Sequence, residues 1–158
     1  MPKEGLFNVW RLIPQRTEWD PWDGEGARLF GGRWNPRGVP MVYASSTMAL
    51  AMLEILVHLR GLTETRDYWA YPMVIEESYS RRLDPEALPD HSESEEPVAA
   101  LQDIGKAWVD SDSSPALAVP SAIIPHEYNY LINPKHPDFE KLAQGEPVAI
   151  TVDPRLLG

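Results

Sequence analysis

The sequence predicts a single α+β domain, over residues 1–158, in which short strands and a few helices mix. The chain is 43% hydrophobic and 24% charged, and both its length and its composition are typical of one globular domain with a substantial core. Its sixteen prolines predict many fixed turns between short elements. Its strand-like and helix-like segments do not follow a steady βα rhythm, which favours α+β over α/β.

The first strand and a long loop occupy the beginning of the chain. Residues 7–13 alternate in polarity and are rich in β-formers, so they predict a strand that ends at Pro14. Residues 15–38 are rich in Gly, Asp, Pro and Arg and lack periodicity. They are typical of an ordered functional loop, or of a loop broken by short strands. Residues 41–44 then predict a second, short strand.

A helix at about 46–60 has the strongest helical pattern in the chain. The hydroxyl side chains at 45–47 can cap its start, and Gly61 follows as a carboxyl-terminal cap. The run from 49 to 57 is apolar except for Glu54. We therefore expect this helix to be buried on most sides.

The remaining elements follow from apolar runs and turn residues. Pro120 interrupts one apolar run and predicts a bend or bulge there. The predicted elements are a strand over 68–75, an acidic, proline-rich loop over 80–97, a helix over 97–109, a bent strand over 117–124, a short helix over 138–144 and a strand over 148–152.

Charge is distributed unevenly along the chain. The net charge of −10 argues against nucleic-acid binding, which needs a basic surface. Residues 1–60 carry seven basic and six acidic side chains, whereas residues 61–158 carry seven and eighteen. We therefore expect an anionic small ligand to bind against the amino-terminal half. The acidic stretch 84–112 indicates a solvated surface or a contact for a basic partner protein.

The sequence also lacks the features of several protein classes. It has no cysteine, which excludes disulfides and thiol nucleophiles. The four histidines show no metal-ligand spacing, and neither a Walker nor a Rossmann phosphate loop is present, so we expect a metal-free site. No signal peptide and no bilayer-spanning apolar run are visible. These observations predict a soluble, cytoplasmic protein without a membrane partner.

The most informative motif is Gly-Gly-Arg-Trp-Asn at residues 31–35. Paired glycines permit positive φ and allow a ligand or another chain segment to approach closely, which makes Gly32 a candidate binding residue. Arg33 adds a rigid set of donors suited to phosphate or carboxylate. The alternative is a hairpin loop whose arginine pairs with a surface carboxylate.

Two residues after this motif are candidates for catalysis. Glu54 must find a partner if its apolar helix is buried, or it can face outward along a polar stripe with His58. Tyr43, at the end of a strand, can stack on a planar ring of a ligand or serve as a core tyrosine.

Two further polar residues lie within strand patterns. Arg11 lies between apolar neighbours, which predicts a half-buried guanidinium with a fixed anionic partner, and Glu54 is one candidate for that partner. Ser121 can donate to a ligand phosphate or sugar, or it can satisfy a local backbone group.

Taken in order, these motifs resemble the RES-domain family. The matching pieces are Trp10-Arg11, Gly31-Gly32-Arg33-Trp34-Asn35, Val42-Tyr43 before the helix that bears Leu53-Glu54, Val119-Pro120-Ser121, and the stretch from Glu127 to Phe139. The resemblance implies a fold like that of ADP-ribosyltransferase toxins and a toxin neutralised by an Xre-type helix-turn-helix antitoxin. It leaves the oligomeric state open, with a homodimer among the options.

The resemblance also implies NAD as substrate, with no cofactor and with inorganic phosphate as a co-substrate if the enzyme is a phosphorylase. It implies catalytic roles for Arg11, Tyr43, Glu54 and Ser121. NAD-binding roles fall to Arg11, Gly32, Arg33, Tyr43 and Ser121. Three functions compete: an NAD phosphorylase or glycohydrolase, a mono-ADP-ribosyltransferase that modifies a protein, and a binding module in which Arg11 and Glu54 form a structural pair.

Overall fold

The structure is a computed structural model that describes residues 5–14, 19–58, 67–89 and 98–156. Within these described residues, eight strands form one sheet and three α-helices accompany it. The strands are β1 (Leu6–Ile13), β2 (Val42–Ser45), β3 (Asp67–Glu76), β4 (Ser80–Arg82), β5 (Ala116–Pro120), β6 (Tyr128–Ile132), β7 (Ala143–Gln144) and β8 (Val148–Thr151). The helices are α1 (Glu25–Phe30), α2 (Met48–His58) and α3 (Val98–Ser111).

The sheet runs in the order β4-β5-β6-β2-β1-β3-β7, and β8 also pairs with β3. All pairings are antiparallel except the one between β4 and β5. Strand β1 lies between β2 and β3, so segments far apart in sequence meet in the middle of the sheet. Because side chains alternate along a strand, β1, β2 and β6 each present residues to both faces.

Two hydrophobic clusters form the core. The first contains Val9, Val42, Ala44, Met73 and Ile132, together with other buried side chains. The second contains a different set, which is Trp34, Met41, Leu101, Trp108, Leu117, Val119 and Leu131. Neighbouring residues of the same strand belong to different clusters, as Ile132 and Leu131 do. The two clusters therefore lie on opposite faces of the sheet.

Helix α2 follows β2 after a two-residue turn. The Thr47 hydroxyl accepts the Leu50 N–H at 3.0 Å, which confirms the predicted hydroxyl cap. Leu50 and Ala51 are buried, whereas Leu53 is 38% exposed and Val57 is 49% exposed. The prediction of a helix buried on most sides is therefore wrong, because only one face of α2 packs against the sheet. The predicted cap at Gly61 lies outside the described residues.

Helix α3 packs directly on the Gly-Gly-Arg-Trp-Asn turn. A Cβ built at Gly105 would lie 1.7 Å from the backbone oxygen of Trp34, so only glycine fits at this contact. The Gln102 side-chain amide also donates to the backbone oxygen of Gly32 at 2.8 Å. The predicted helix over 97–109 is confirmed with slightly different ends. Its buried side chains belong to the second hydrophobic cluster, and on that side of the sheet the helix packs against the turn.

Two predicted loops, one predicted helix and two strands differ from the sequence-based expectations. The predicted loop over 15–38 contains α1, which is too short to show a helical period. The predicted loop over 80–97 begins with the edge strand β4, whose exposed arginines hide its strand character. The predicted helix over 138–144 is a 3-10 turn (Phe139–Lys141) followed by β7. Strand β6 was not predicted, and the apolar run that begins at 117 ends as a strand at Pro120.

Within the described ranges, no helix combines the length and the apolar character that a membrane crossing requires.

Candidate functional site

Glu54 faces the protein and is held there by two hydrogen bonds. Ser121 Oγ and Asn129 Nδ2 each donate to Glu54 Oε1 at 2.7 Å. The interpretation of Glu54 as part of an outward polar stripe is therefore wrong. Hydrogen bonds to an ionised carboxylate are among the stronger ones in proteins, so this pair of donors fixes one oxygen of the carboxylate.

The Ser121 hydroxyl is fully engaged within the protein. Its oxygen accepts the backbone N–H groups of Ile123 and Ile124, both at 3.1 Å, and its proton goes to Glu54. A serine hydroxyl has one donor and two acceptor positions, so these three bonds use all of them. Ser121 thus satisfies local backbone groups, one of the two predicted alternatives, and it also joins the turn after β5 to α2.

Asn129 extends this network to β2. Its Oδ1 accepts the Ser45 hydroxyl at 2.7 Å while its Nδ2 donates to Glu54. Ser45 and Asn129 are also register partners in the pairing of β2 with β6. A chain of hydrogen bonds therefore runs from β2 through β6 to the carboxylate on α2.

The Gly-Gly-Arg-Trp-Asn turn is organised from within by Tyr43 and Asn35. The Tyr43 hydroxyl accepts the Trp34 N–H at 2.9 Å and donates to Asn35 Oδ1 at 2.5 Å. Asn35 is fully buried, and the two protons of its Nδ2 are shared among three backbone oxygens, those of Ala27 in α1 and of Pro36 and Val39 in the loop. Burial raises the pKa of Tyr43, so its hydroxyl stays protonated and remains a donor.

The two glycines of the turn have different reasons to be glycine. Gly31 has a φ of 74°, which other residues adopt at a cost. At Gly32 the limit is space, because a Cβ there would lie 2.7 Å from both the Tyr43 hydroxyl and Asn35 Oδ1. The close approach predicted at Gly32 is therefore made by the protein's own Tyr43.

Arg33 lines a cleft of about 230 Å³. Ser121 lines the same cleft, and the other walls are apolar or aromatic, formed by Trp34, Leu83, Pro85, Leu88, Pro120, Ala122, Pro125 and Tyr128. Burial lowers the pKa of the Arg33 guanidinium, and the negative charge of Glu54 opposes that shift. Ser121 thus connects the cleft to Glu54 through its hydrogen bond, and the charge of Glu54 acts on Arg33 in the same cleft.

Most of the cleft comes from the acidic carboxyl-terminal half. Apart from Arg33 and Trp34, every lining residue lies between positions 83 and 128. The expectation that an anionic ligand binds against the amino-terminal half stays a prediction, because Arg33 belongs to that half. The sheet order explains why the remaining walls come from the other half, since β5 and β6 lie beside β2.

Comparison with known proteins identifies the family. The RES domain matches residues 8–153. This chain belongs to the RES-domain family. It is 37% identical over 149 residues to a Yersinia enterocolitica protein named Toxin Res, covering 94% of this chain and 98% of that protein. It is 38% identical over 155 residues to the Prs ADP-ribosylating toxin of Sphingobium sp. strain YBL2, covering 95% and 96%.

The fold of this RES-domain protein also matches a solved structure. One chain of the crystal structure of the M. tuberculosis MbcT-MbcA toxin–antitoxin complex superposes with a TM-score of 0.74. The match covers 96% of this chain and 86% of that chain at 19% sequence identity, so the likeness concerns the fold. The predicted α+β class is confirmed.

Arg11 is the one predicted site residue of this RES domain that lies apart from the others. Trp10 pairs with Ser45, and Arg11 pairs with Tyr71 on the other side of β1. Because neighbouring strand residues point to opposite faces, Arg11 lies on the face away from Ser45 and its hydrogen-bond network. Burial lowers the pKa of Arg11, and the charge of Asp23 opposes this shift.

This placement also answers the question of the Arg11 partner. The carboxylate whose charge acts on Arg11 belongs to Asp23, and Glu54 is bound to Ser121 and Asn129 instead. The interpretation of Arg11 and Glu54 as a structural pair is therefore wrong. The residues that the structure brings together are Arg33, Tyr43, Glu54 and Ser121, with Gly32 beneath Tyr43.

Sequence reasoning did not identify Ser45, Asn129 or Asn35 as working parts of the site. A polar amide between two tyrosines, at Tyr128 to Tyr130, was the available signal for Asn129. In the described segments, no three His, Asp or Glu side chains group as metal ligands would.

Proposed function

We propose that this protein is the toxin of a toxin–antitoxin pair and that it degrades NAD by cleaving the nicotinamide–ribose bond. The observation that carries the proposal is the carboxylate of Glu54, which Ser121 binds at the cleft and whose negative charge acts on Arg33 in the same cleft. A cation for phosphate and an anchored anion for a cationic sugar are the two charges that this reaction needs.

The parts of NAD match the two ends of this arrangement. Its pyrophosphate needs a cation with several donors, which Arg33 supplies. The cleft, at about 230 Å³, is smaller than typical ligand pockets of roughly 300–1,000 Å³. A dinucleotide would therefore place one end in the cleft and the remainder along the surface beside it.

In the proposed reaction, the bond between the ribose C1″ and the nicotinamide nitrogen breaks, and nicotinamide leaves as a neutral ring with the bonding electrons. Positive charge then develops on the ribose, and the Glu54 carboxylate stabilises it. An oxygen of the acceptor forms the new bond to C1″. Phosphate as acceptor gives ADP-ribose 1″-phosphate, whereas water gives ADP-ribose and releases one proton.

The names of the relatives support a toxin. Two proteins named Toxin Res, from Yersinia enterocolitica and Photorhabdus laumondii, are 37% and 36% identical to this chain. The matching fold comes from a toxin–antitoxin complex. We propose an antitoxin as partner, of the Xre type that the resemblance implies.

A second candidate function is transfer of ADP-ribose to a protein. The observation that favours it is the 38% identity to a relative named Prs ADP-ribosylating toxin, over nearly the full length of both chains. The same carboxylate and cation would serve, with a protein side chain in place of phosphate or water.

One assay separates these alternatives. Purified protein is incubated with isotopically labelled NAD, without added metal, with and without inorganic phosphate, and the products are identified by mass. We expect label in ADP-ribose 1″-phosphate or in free ADP-ribose. Label found only on the protein itself would support the transferase, and intact NAD under all conditions would contradict the proposed NAD degradation.

Glu54→Gln tests the assigned carboxylate. Glutamine keeps the shape of the side chain and an oxygen that can accept from Ser121 and Asn129, but it removes the negative charge. We expect NAD turnover to fall on the order of 10²-fold or more, with an unchanged circular dichroism spectrum. Glu146→Gln, at an exposed position, is the matched control and keeps full turnover. Wild-type turnover in Glu54→Gln would contradict the role of Glu54.

A further inference from the structure

Asn129 uses both ends of its side chain within one network. The amide nitrogen donates to Glu54 Oε1 at 2.7 Å, and the amide oxygen accepts the Ser45 hydroxyl at 2.7 Å. This orientation is the only one the partners allow, because an ionised carboxylate can only accept and the Ser45 proton needs an acceptor. The side chain is therefore fixed at both ends.

The backbone of Asn129 is also constrained on both sides. Strand β6 lies between β5 and β2, so Asn129 pairs with Val119 on one side and with Ser45 on the other. Ser45 is 4% exposed, which shields its hydroxyl bond to Asn129 from water. The Asn129 amide therefore projects from the middle of the sheet and reaches α2 from a rigid base.

Glu54, by contrast, comes from a helix that packs against the sheet along one face only. A glutamate side chain has several rotatable bonds, so a single hydrogen bond from Ser121 leaves the carboxylate free to turn about that contact. A second donor on the same oxygen, arriving from a different strand, removes this freedom. Electrostatic stabilisation of a developing charge depends on such fixed geometry.

We propose that Asn129 is the positioning residue for Glu54, with Ser45 as its anchor. Asn129 acts through the carboxylate and needs no contact with the substrate. This role rests on the proposed NAD cleavage for its effect on rate, whereas the placement of the carboxylate is a property of the protein itself. The two parts are therefore tested by separate measurements.

The kinetic test uses a double-mutant cycle. Asn129→Ala and Ser45→Ala are made singly and together, with Asn8→Ala and Ser46→Ala as controls at an exposed strand position and at the neighbouring serine. We expect Asn129→Ala to lower kcat on the order of tenfold to a hundredfold, the effect of losing a hydrogen bond to a charged group, with KM for NAD close to that of the wild type. Asn129→Asp places a second carboxylate beside Glu54 and lowers kcat further.

Ser45 distinguishes positioning from general weakening of the structure. Ser45→Ala alone should lower kcat by several-fold and should have no additional effect in the Asn129→Ala background, because its influence passes through Asn129. An additive effect would contradict the anchoring role. Wild-type kcat in Asn129→Ala, or an increased KM with unchanged kcat, would overturn the proposal. If Asn129→Ala does not fold, Ser45→Ala alone decides, since unchanged kcat there would also overturn it.

A crystal structure of Ser45→Ala or Asn129→Ala gives a readout independent of turnover. We expect the Glu54 carboxylate to leave its wild-type position or to occupy more than one rotamer. An unchanged carboxylate overturns the positioning role even if activity falls. If the wild-type enzyme leaves NAD intact, the proposed function fails, and the Glu54 rotamer in these crystals still decides whether Asn129 positions it.

Discussion

At the scale of single residues, the site is built from polar side chains that satisfy one another. Glu54 could be singled out from sequence because it is the one charge in an apolar helical run. Its partners could not, because the hydrogen bonds to Ser121 and Asn129 span 67 and 75 positions in the chain. Asn129 lies between two tyrosines in a strand that sequence patterns did not reveal, and only the sheet order brings it to Glu54.

Tyr43 shows how the geometry changes an assigned role. Sequence reasoning offered it as a ring on which a ligand stacks or as a core residue. In the structure its hydroxyl holds Trp34 and Asn35, and its ring packs against the second hydrophobic cluster. Stacking of a ligand on this ring remains a prediction, whereas its hydrogen bonds within the turn that carries Arg33 are part of the structure.

Tyr43→Phe tests this internal role. The change leaves the Trp34 N–H and the buried Asn35 Oδ1 without their partner, so we expect the free energy of unfolding to fall by about 1–3 kcal/mol. Urea denaturation measures the change. Tyr79→Phe is the control, since among the described residues its hydroxyl makes no hydrogen bond, and we expect a change within about 0.5 kcal/mol. Equal stability of the two variants would contradict the role of the Tyr43 hydroxyl.

At the scale of elements, β2 joins the two parts of the site. Tyr43 and Ser45 are two residues apart, so they lie on the same face of β2. One organises the turn that carries Arg33, and the other anchors Asn129, which binds Glu54. A four-residue strand thus sets the position of the cation relative to the carboxylate.

The elements that sequence predicted well are those with strong local signals. Strands β1, β3 and β8 and helix α2 have clear alternation, apolar runs or capping residues, and the structure confirms them. Helix α1 begins after Gly24 in a left-handed conformation and spans six residues, too few for a periodic pattern. Strand β4 has only three residues and pairs in parallel with β5, which is far away in the sequence.

The packing of α3 on the Arg33 turn predicts a sharp difference between two glycines. Gly105→Ala would place a Cβ 1.7 Å from the Trp34 backbone oxygen, so α3 must shift. We expect the free energy of unfolding to fall by about 1–3 kcal/mol or more, the usual cost of overpacking. Gly26→Ala, in α1 with nothing within 4 Å, is the matched control and gains up to roughly 1 kcal/mol from helix propensity.

Thermal and urea unfolding of the two variants measure this difference. A Gly105→Ala protein as stable as the wild type would contradict the close packing of α3 on the turn. A loss of NAD turnover in Gly105→Ala, larger than its loss of folded protein, would show in addition that this contact positions Arg33.

At the scale of the whole molecule, the net charge of the protein is opposite in sign to the arginine of its proposed site. The chain carries a net charge of −10, so its overall field repels a dinucleotide anion. In the proposed function, Arg33 in the cleft would provide the local attraction that outweighs this repulsion. The fold brings positions 33, 54 and 121 together from three separate parts of the chain.

Binding of NAD to the folded protein gives the test at this scale. The Glu54→Gln variant is used because it should bind NAD without consuming it. At about one hundred times the dissociation constant, ligand binding stabilises a protein by ~2.7 kcal/mol, which corresponds to an increase in Tm of roughly 5–10 °C for a chain of this size. We expect this increase in Glu54→Gln and its loss in Arg33→Ala/Glu54→Gln. Arg28→Ala/Glu54→Gln, which removes an exposed arginine paired with Glu25, should keep the shift, and a shift that survives without Arg33 would contradict its assignment as the phosphate-binding cation.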